Sequence, residues 1–454
     1  MRGSSTLIVG PAGSGKTVLT NQISFNLARR GGRAIYVTLL TESHGHIVSN
    51  LSTLDFFDAN AVGDAVYYVS GAAPLLETGG AALLQMITEL VHERRPTVLT
   101  IDCLNTVQLH LDNEQAFRTF LRDLDEVLAI HGCTGLYVGH LETASIAGAF
   151  PVVDTILRLD HERAGTNAMR RLQVTKSRGS GALEGQHAVV ISRAGLTVFP
   201  RLESMAAAEA PSEESSRPRL SFGIPSIDDL VGGGLPQRTS TVLLGAPGSG
   251  KTLLATSFLA AGAAAGDPGL YFGFFEWPSR IVEGAARVGI PLAREVERGA
   301  VEMLWRPPYR GNVDALALEL FAAIERRKVR RLVVDGLIGL VRSGLFEERM
   351  MPFFAAFTNE LRRMSVTAIL TDETANLAPS DVTVPYETAS LLAENLVAIG
   401  YREVGPMLER VIAVLKLRYG NYDRCVHRFQ IGAEGLSVGD AIATEAGAGP
   451  AGGR

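Results

Sequence analysis

Two stretches carry the residue types that hold phosphate. Gly10-Pro11-Ala12-Gly13-Ser14-Gly15-Lys16-Thr17 and Gly245-Ala246-Pro247-Gly248-Ser249-Gly250-Lys251-Thr252 both fit G-x-x-x-x-G-K-[ST]. In that pattern, backbone N–H groups cradle nucleotide phosphates. Lys16 and Lys251 would reach the β- and γ-phosphates, and the Thr17 and Thr252 hydroxyls would ligate Mg²⁺. The glycines Gly10, Gly13, Gly15, Gly245, Gly248 and Gly250, with Ser14 and Ser249, complete two expected ATP-binding loops. A glycine-rich turn with an exposed lysine is the bland alternative, and a second match in the same context argues against it.

A metal site also needs an acid, and a hydrolytic one needs a base. Asp102 closes Thr97-Val98-Leu99-Thr100-Ile101, and Asp335 closes Leu332-Val333-Val334. An aspartate at the end of a buried strand is placed to complete Mg²⁺ coordination through water, although such a residue is often only a turn former. Glu42 lies 26 residues beyond Lys16, and Glu276 lies 25 beyond Lys251. Either could orient an attacking water. An exposed glutamate opening the next helix is the competing reading. Lys176 and Arg178, and Lys416 and Arg418, close two later strands; residues two apart on a strand share a face. Spacing alone makes such a pair a solvated edge, but its recurrence at a matched place suggests arginines delivered to a neighbour's γ-phosphate.

The elements that would position these residues alternate. Thr6 to Val9 and Thr241 to Leu244 read as buried strands, and Val18 to Ala28 and Leu253 to Ala264 as the helices after the loops. Strands are expected over Ala34 to Leu40, Val66 to Val69, Thr97 to Ile101 and Gly135 to Gly139. Helices are expected over Ala81 to Val91 and Gln115 to Ile130. Thr155 to Leu159, Arg171 to Thr175, His187 to Ile191 and Leu196 to Phe199 follow as strands with no helices between them. The pattern predicts an α/β fold with a mainly parallel central sheet and an antiparallel extension.

Offsets between the halves are nearly constant: 235 for Lys16 and Lys251, 233 for Asp102 and Asp335, 240 for Lys176 and Lys416. That is a tandem duplication of one domain. The expected domains are 1–203 and 219–440, with a linker over 204–218 and a disordered tail over 441–454. The second copy has a lead-in, Arg219 to Pro236, that the first lacks; either that cover is missing or the chain start is set too late.

The 454 residues are 46% hydrophobic and 20% charged, enough for more than one substantial core. A net charge of −5, without a basic, aromatic-interleaved segment, argues against nucleic acid. The 3 cysteines have no metal or C-x-x-C spacing, and Cys103 reads as packing. No run of roughly 18 apolar residues spans a membrane. The N-terminus does not read as a signal peptide, so a cytoplasmic protein is expected.

Both halves resemble the KaiC branch of the RecA superfamily. The resemblance rests on Gly223-Ile224-Pro225-Ser226-Ile227-Asp228, Gly232-Gly233-Gly234-Leu235-Pro236, Phe275-Glu276-Trp277-Pro278 and Lys416-Leu417-Arg418. It implies two tandem RecA-like P-loop NTPase domains and a nucleotide-dependent ring, usually a hexamer, with ATP between subunits. It also implies signalling partners of unknown identity, and Lys176, Arg178, Lys416 and Arg418 acting in trans. The family pattern has two adjacent glutamates after the second strand. Here Phe275-Glu276 and Thr41-Glu42 each keep one, which implies slow or lost hydrolysis. Where KaiC carries adjacent serine and threonine phosphoacceptors, this chain has Ser390-Leu391, leaving Ser390 as the acceptor for any autokinase activity. Tyr419 follows Arg418 where the family has glycine; Gly179 follows Arg178. A nucleotide-gated assembly platform with little turnover is the alternative expectation, and a RecA-type DNA-acting ATPase a third.

Overall fold

The strand before each phosphate loop runs through the interior of its sheet, because its residues are apolar on both faces. Ser5–Val9 (β1) has Leu7, Ile8 and Val9 all buried, as a parallel strand covered on both sides requires. In the computed structural model the described residues are 3–39, 44–140, 148–164, 167–205, 218–307, 312–344, 347–374 and 393–442. They fall into two units, Met1–Ser204 and Met205–Arg454.

The first unit adds Ala34–Thr38 (β2), Val66–Ser70 (β3), Val98–Asp102 (β4), Thr134–Gly139 (β5), Thr155–Ala164 (β6), Asn167–Ser177 (β7), Gln186–Ser192 (β8) and Gly195–Phe199 (β9). The sheet order is β3-β2-β4-β5-β1-β6-β7-β8-β9. Pairings are parallel from β3 across to β6, then antiparallel to β9. One face packs Leu7, Val9, Ile35, Val37, Leu99 and Ile101 against the helices Gly80–Arg94 and Glu114–Ile130. Ala34, Val98 and Leu136 on the other face pack with Phe25 of the helix Lys16–Ala28.

In the second unit a short ribbon, Arg219–Leu220 (β10) with Leu235–Pro236 (β11), precedes the sheet. The sheet strands are Ser240–Gly245 (β12), Gly269–Gly273 (β13), Val301–Trp305 (β14), Arg331–Asp335 (β15), Thr367–Glu373 (β16), Asn395–Val404 (β17), Met407–Leu417 (β18), His427–Gly432 (β19) and Gly435–Ala441 (β20). Their order, β14-β13-β15-β16-β12-β17-β18-β19-β20, repeats the first permutation strand for strand. The α/β architecture with its antiparallel extension is thus the one the alternation predicts.

Some bounds differ from the sequence reading. The β6–β7 hairpin continues through Ala164↔Asn167, beyond the expected Leu159 and Arg171, because its outer rungs are polar and give no apolar signal. The loop helices begin at Lys16 and Lys251 rather than two residues later, since Gly15 and Gly250 already serve as their left-handed caps. β20 reaches Ala441, which the sequence assigns to the tail; residues 443–454, and 206–217 of the linker, lie outside the described residues.

Arg331 joins three parts of the second unit. It is 3% exposed, and its guanidinium donates to Ser221 O of the lead-in (2.6 Å), Phe258 O of the loop helix (3.0 Å) and Asp267 Oδ2 (3.1 Å). Arg331→Met would leave two carbonyls and a half-buried carboxylate without this donor. The expected cost is about 3 kcal/mol, read as a lower denaturant midpoint for this unit. A midpoint within error of the native protein would refute that role.

Candidate functional site

Each phosphate loop crosses from the carboxyl end of the inner strand into a helix N-terminus, where free N–H groups and the helix dipole favour an anion. Gly10 and Gly13 to Gly15 occupy this turn in the first unit, and Gly245 and Gly248 to Gly250 in the second. Ser14 Oγ and Ser249 Oγ are buried there with no hydrogen-bond partner among the described residues. A buried hydroxyl without a partner is uncommon, and a phosphate oxygen is the acceptor that this turn can present to it. Lys16 Nζ curls over its loop to Gly10 O and Pro11 O, both at 2.8 Å. Lys251 Nζ does the same to Gly245 O at 2.9 Å and Ala246 O at 3.0 Å. Burial pushes the Lys251 ammonium below its usual range; the charges of Glu373, then Asp335, then Asp372 act against that.

The strand-end aspartates stand beside the loop threonines. Thr17 Oγ1 is 3.3 Å from Asp102 Oδ2, and Thr252 Oγ1 is 3.0 Å from Asp335 Oδ2. Each aspartate also takes a hydrogen bond that sequence reasoning missed. Tyr36 OH donates to Asp102 Oδ2 at 2.7 Å, and Tyr271 OH to Asp335 Oδ2 at 2.5 Å. The two tyrosines are separated by 235 residues, the offset of the lysines, so a tally of matched polar residues inside strands would have found them. Burial raises the Asp102 carboxyl, while the Tyr36 and Thr17 hydrogen bonds and the charges of Lys16 and His140 lower it. The second unit adds Thr371 Oγ1, donating to Asp335 Oδ1 at 2.5 Å; β5 has Val138 at the matching rung. Hydroxyl and carboxylate oxygens are hard donors that suit Mg²⁺, which keeps several waters and so needs few protein ligands.

Glu276 lies three residues beyond β13 and is exposed, between exposed Phe275 and Trp277. Its charge reaches Tyr271. Glu42 and Ser390 lie outside the described residues.

In the first unit the Lys-x-Arg side chains turn to one segment, with Lys176 Nζ and Arg178 Nη2 both donating to Pro151 O, at 3.4 and 3.1 Å. Lys176 Nζ turns back to Phe150 O at 2.7 Å and Val153 O at 2.5 Å, and Lys416 Nζ to Ala393 O at 2.8 Å. Arg178 and Arg418 fall one residue past their strands and are exposed. The carbonyls that hold each ammonium belong to the chain just before the paired strand, β6 or β17. Gly179 and Tyr419, next in line, both have φ in the left-handed region, +75° and +66°. Glycine adopts it freely, whereas a tyrosine there costs roughly 1–2 kcal/mol.

A cavity of about 610 Å³ in the second unit is lined by Arg410, Arg428, Phe429, Ile431, Gly432 and Leu436, among others. It adjoins the phosphate loop, since a Cβ on Gly250 would come within 2.5 Å of Ile431 Cδ1 and 3.1 Å of Phe429 Cε1. Its wall is mixed, with Glu409, Arg410, Arg428 and Glu434 beside Phe429, Ile431 and Leu436, and so is more polar than the mostly apolar cleft usual for a small ligand. In the first unit a Cβ on Gly15 would likewise meet Ile191 Cδ1 at 2.6 Å.

Sheet order, loop position and the lysine–threonine–aspartate grouping define a P-loop nucleotide-binding α/β protein with two such domains in tandem. Residues 1–203 and 220–442 match the family model described as ATPase: KaiC, and the chain belongs to that ATPase family. Over 96% of this chain and 88% of the relative it is 24% identical to the circadian clock protein KaiC3 of Synechocystis sp.. It is 23% identical to the circadian clock oscillator protein KaiC of Synechococcus elongatus, across 97% of this chain and 86% of that one. With KaiC2 of Synechocystis sp. the figures are 25%, 98% and 79%. Among the described residues no helix is long and apolar enough to cross a membrane.

Proposed function

We propose that this protein binds ATP in both domains and hydrolyses it slowly within a self-associated ring, most simply a hexamer, that serves as a timer or switch in signalling. The observation that carries the proposal is the duplicated site. Each loop joins a curled-back lysine, a threonine against a strand-end aspartate and a buried serine hydroxyl that has no partner among the described residues. In this reading the backbone N–H groups and Ser14 or Ser249 hold phosphate oxygens. Lys16 or Lys251 leaves its carbonyls for the γ-phosphate. Thr17 with Asp102, and Thr252 with Asp335, would hold Mg²⁺, which when bound neutralises charge on the β- and γ-phosphates. Glu42 and Glu276 are the acids that the sequence offers for orienting water. The exposed Arg178 and Arg418 meet the nucleotide of a neighbouring subunit, with Lys176 and Lys416 bracing the turns that carry them. The relatives' names support a clock-like role. Ser390 is the residue proposed to accept phosphate on protein.

The test is phosphate release and mass in solution, with ATP and Mg²⁺, for the native protein, Lys16→Ala, Lys251→Ala and the double variant. We expect release to fall in each single variant and to background in the double one, with ATP-dependent assembly lost alongside. Native release equal to that of the double variant would overturn the enzymatic reading. Assembly that persists natively without turnover would instead make the protein a nucleotide-gated platform. Phosphosite mapping after incubation with ATP reads the transfer to Ser390, and an unmodified Ser390 removes it.

A further inference from the structure

The two sites differ most at the end of the strand beside the phosphate-loop strand. Matching rungs place Val138, Gly139 and His140 of the first unit where the second has Thr371, Asp372 and Glu373. Glu373 is in register with Gly245, and Thr374 N donates to Gly245 O at 3.2 Å. Lys251 Nζ is bonded to that same Gly245 oxygen, at 2.9 Å. Strand side chains alternate, so Glu373 projects to the side of Thr371, whose hydroxyl holds Asp335. Glu373 therefore stands exposed at the loop mouth, on the metal-aspartate side and beside the lysine. Of the carboxylates acting on the Lys251 ammonium, Glu373 has the strongest influence, with Asp335 and Asp372 behind it; Glu276 acts on Tyr271 instead.

Taking ATP hydrolysis at this site as proposed above, we infer that Glu373 is the catalytic base of the second site, filling the role of the acid that Phe275 replaces. The water oxygen bonds to the γ-phosphorus as the β,γ-bridging P–O bond breaks. ADP leaves with that electron pair, and the water's proton passes to the Glu373 carboxylate. At the first site His140 holds the matching position, so the two domains present bases of different kinds at the same place.

The experiment uses the full chain carrying Lys16→Ala, so that turnover reports the second site alone, and compares Glu373→Gln, Glu373→Asp and Lys251→Ala on that background. General-base removal leads us to expect about a 100-fold lower kcat for Glu373→Gln. Affinity for a fluorescent ATP analogue should stay within threefold, so that the loss is in kcat and not in binding. Glu373→Asp should restore part of the rate. Turnover of Glu373→Gln within threefold of its parent, with Lys251→Ala inactive, overturns the inference and leaves the ATPase proposal standing. So does a loss of rate that tracks lost affinity or a lowered unfolding midpoint, which marks a structural role. Lys251→Ala as active as its parent overturns both.

Discussion

Gly245→Ala is expected to cut turnover at the second site about 100-fold, as displacements near 1 Å at a catalytic centre do. A Cβ on Gly245 would lie 2.2 Å from Ile399 O and 2.8 Å from Ser249 Oγ. The first contact is the backbone of the neighbouring strand β17, which cannot rotate away, so the end of β12 must shift and carry the loop with it. Gly10→Ala should do the same in the first unit, where the carbonyl is Leu159 O at 2.0 Å. The expected loss of stability is about 3 kcal/mol in either unit, the range of substitutions that force backbone strain. Gly248→Ala separates crowding from conformation. Its φ is +73° but its nearest neighbour is Tyr401 OH at 3.6 Å, so only about 1 kcal/mol of left-handed strain applies. Analogue binding and phosphate release, each on a background with the other loop disabled, check the ranking. Equal effects at Gly245 and Gly248 would show that the neighbouring carbonyl is not what fixes the loop.

The loop glycines, lysines, threonines and strand-end aspartates were legible in the sequence because local spacing defines them. A phosphate loop is a continuous turn, and Asp102 and Asp335 close apolar runs that can only be buried strands. Duplication made the sheet legible too, since constant offsets require the same strand order twice. What stayed hidden is what neighbours contribute across the sheet. Tyr36 and Tyr271 read as ordinary strand aromatics until parallel pairing sets them beside β4 and β15. Asp372 and Glu373 match no motif in the sequence; only the register with Leu244 and Gly245 brings them to the loop. The Lys-x-Arg pairs show the same limit: spacing names the residues, and only the pairing of β6 with β7 and of β17 with β18 brings up the carbonyls that hold each lysine. Sequence spacing identified the residues, but strand pairing decides what each one touches.

That same pairing places a second acid, Asp372, where it should make the second unit's stability and its ATP affinity depend on pH. Asp372 is 2% exposed; Oδ1 accepts from Glu373 N at 3.0 Å, and Oδ2 has no hydrogen-bond partner among the described residues. Burial lifts its carboxyl from 3.8 to about 6; Lys251 opposes the rise and Glu373 adds to it. Below about pH 4 the group is protonated in both folded and unfolded chains and contributes nothing. Between the two values the folded chain binds more protons, so stability falls as pH rises, and above about 6 the full penalty remains. Asp372→Asn keeps the shape and removes the charge. At pH 8 it should stabilise this unit by at most about 3 kcal/mol, with the gain shrinking through pH 6 to 4. Nucleotide phosphates add negative charge nearby, so ATP binding should draw a proton onto Asp372. Affinity at the second site should then weaken as pH rises above 6 in the native protein and stay level in Asp372→Asn. Thermal unfolding and analogue binding from pH 5 to 8, on the Lys16→Ala background, read both effects. An asparagine variant that is less stable at pH 8 would mean that the Asp372 carboxylate is held charged by the Lys251 ammonium, and the proton linkage would fall with it.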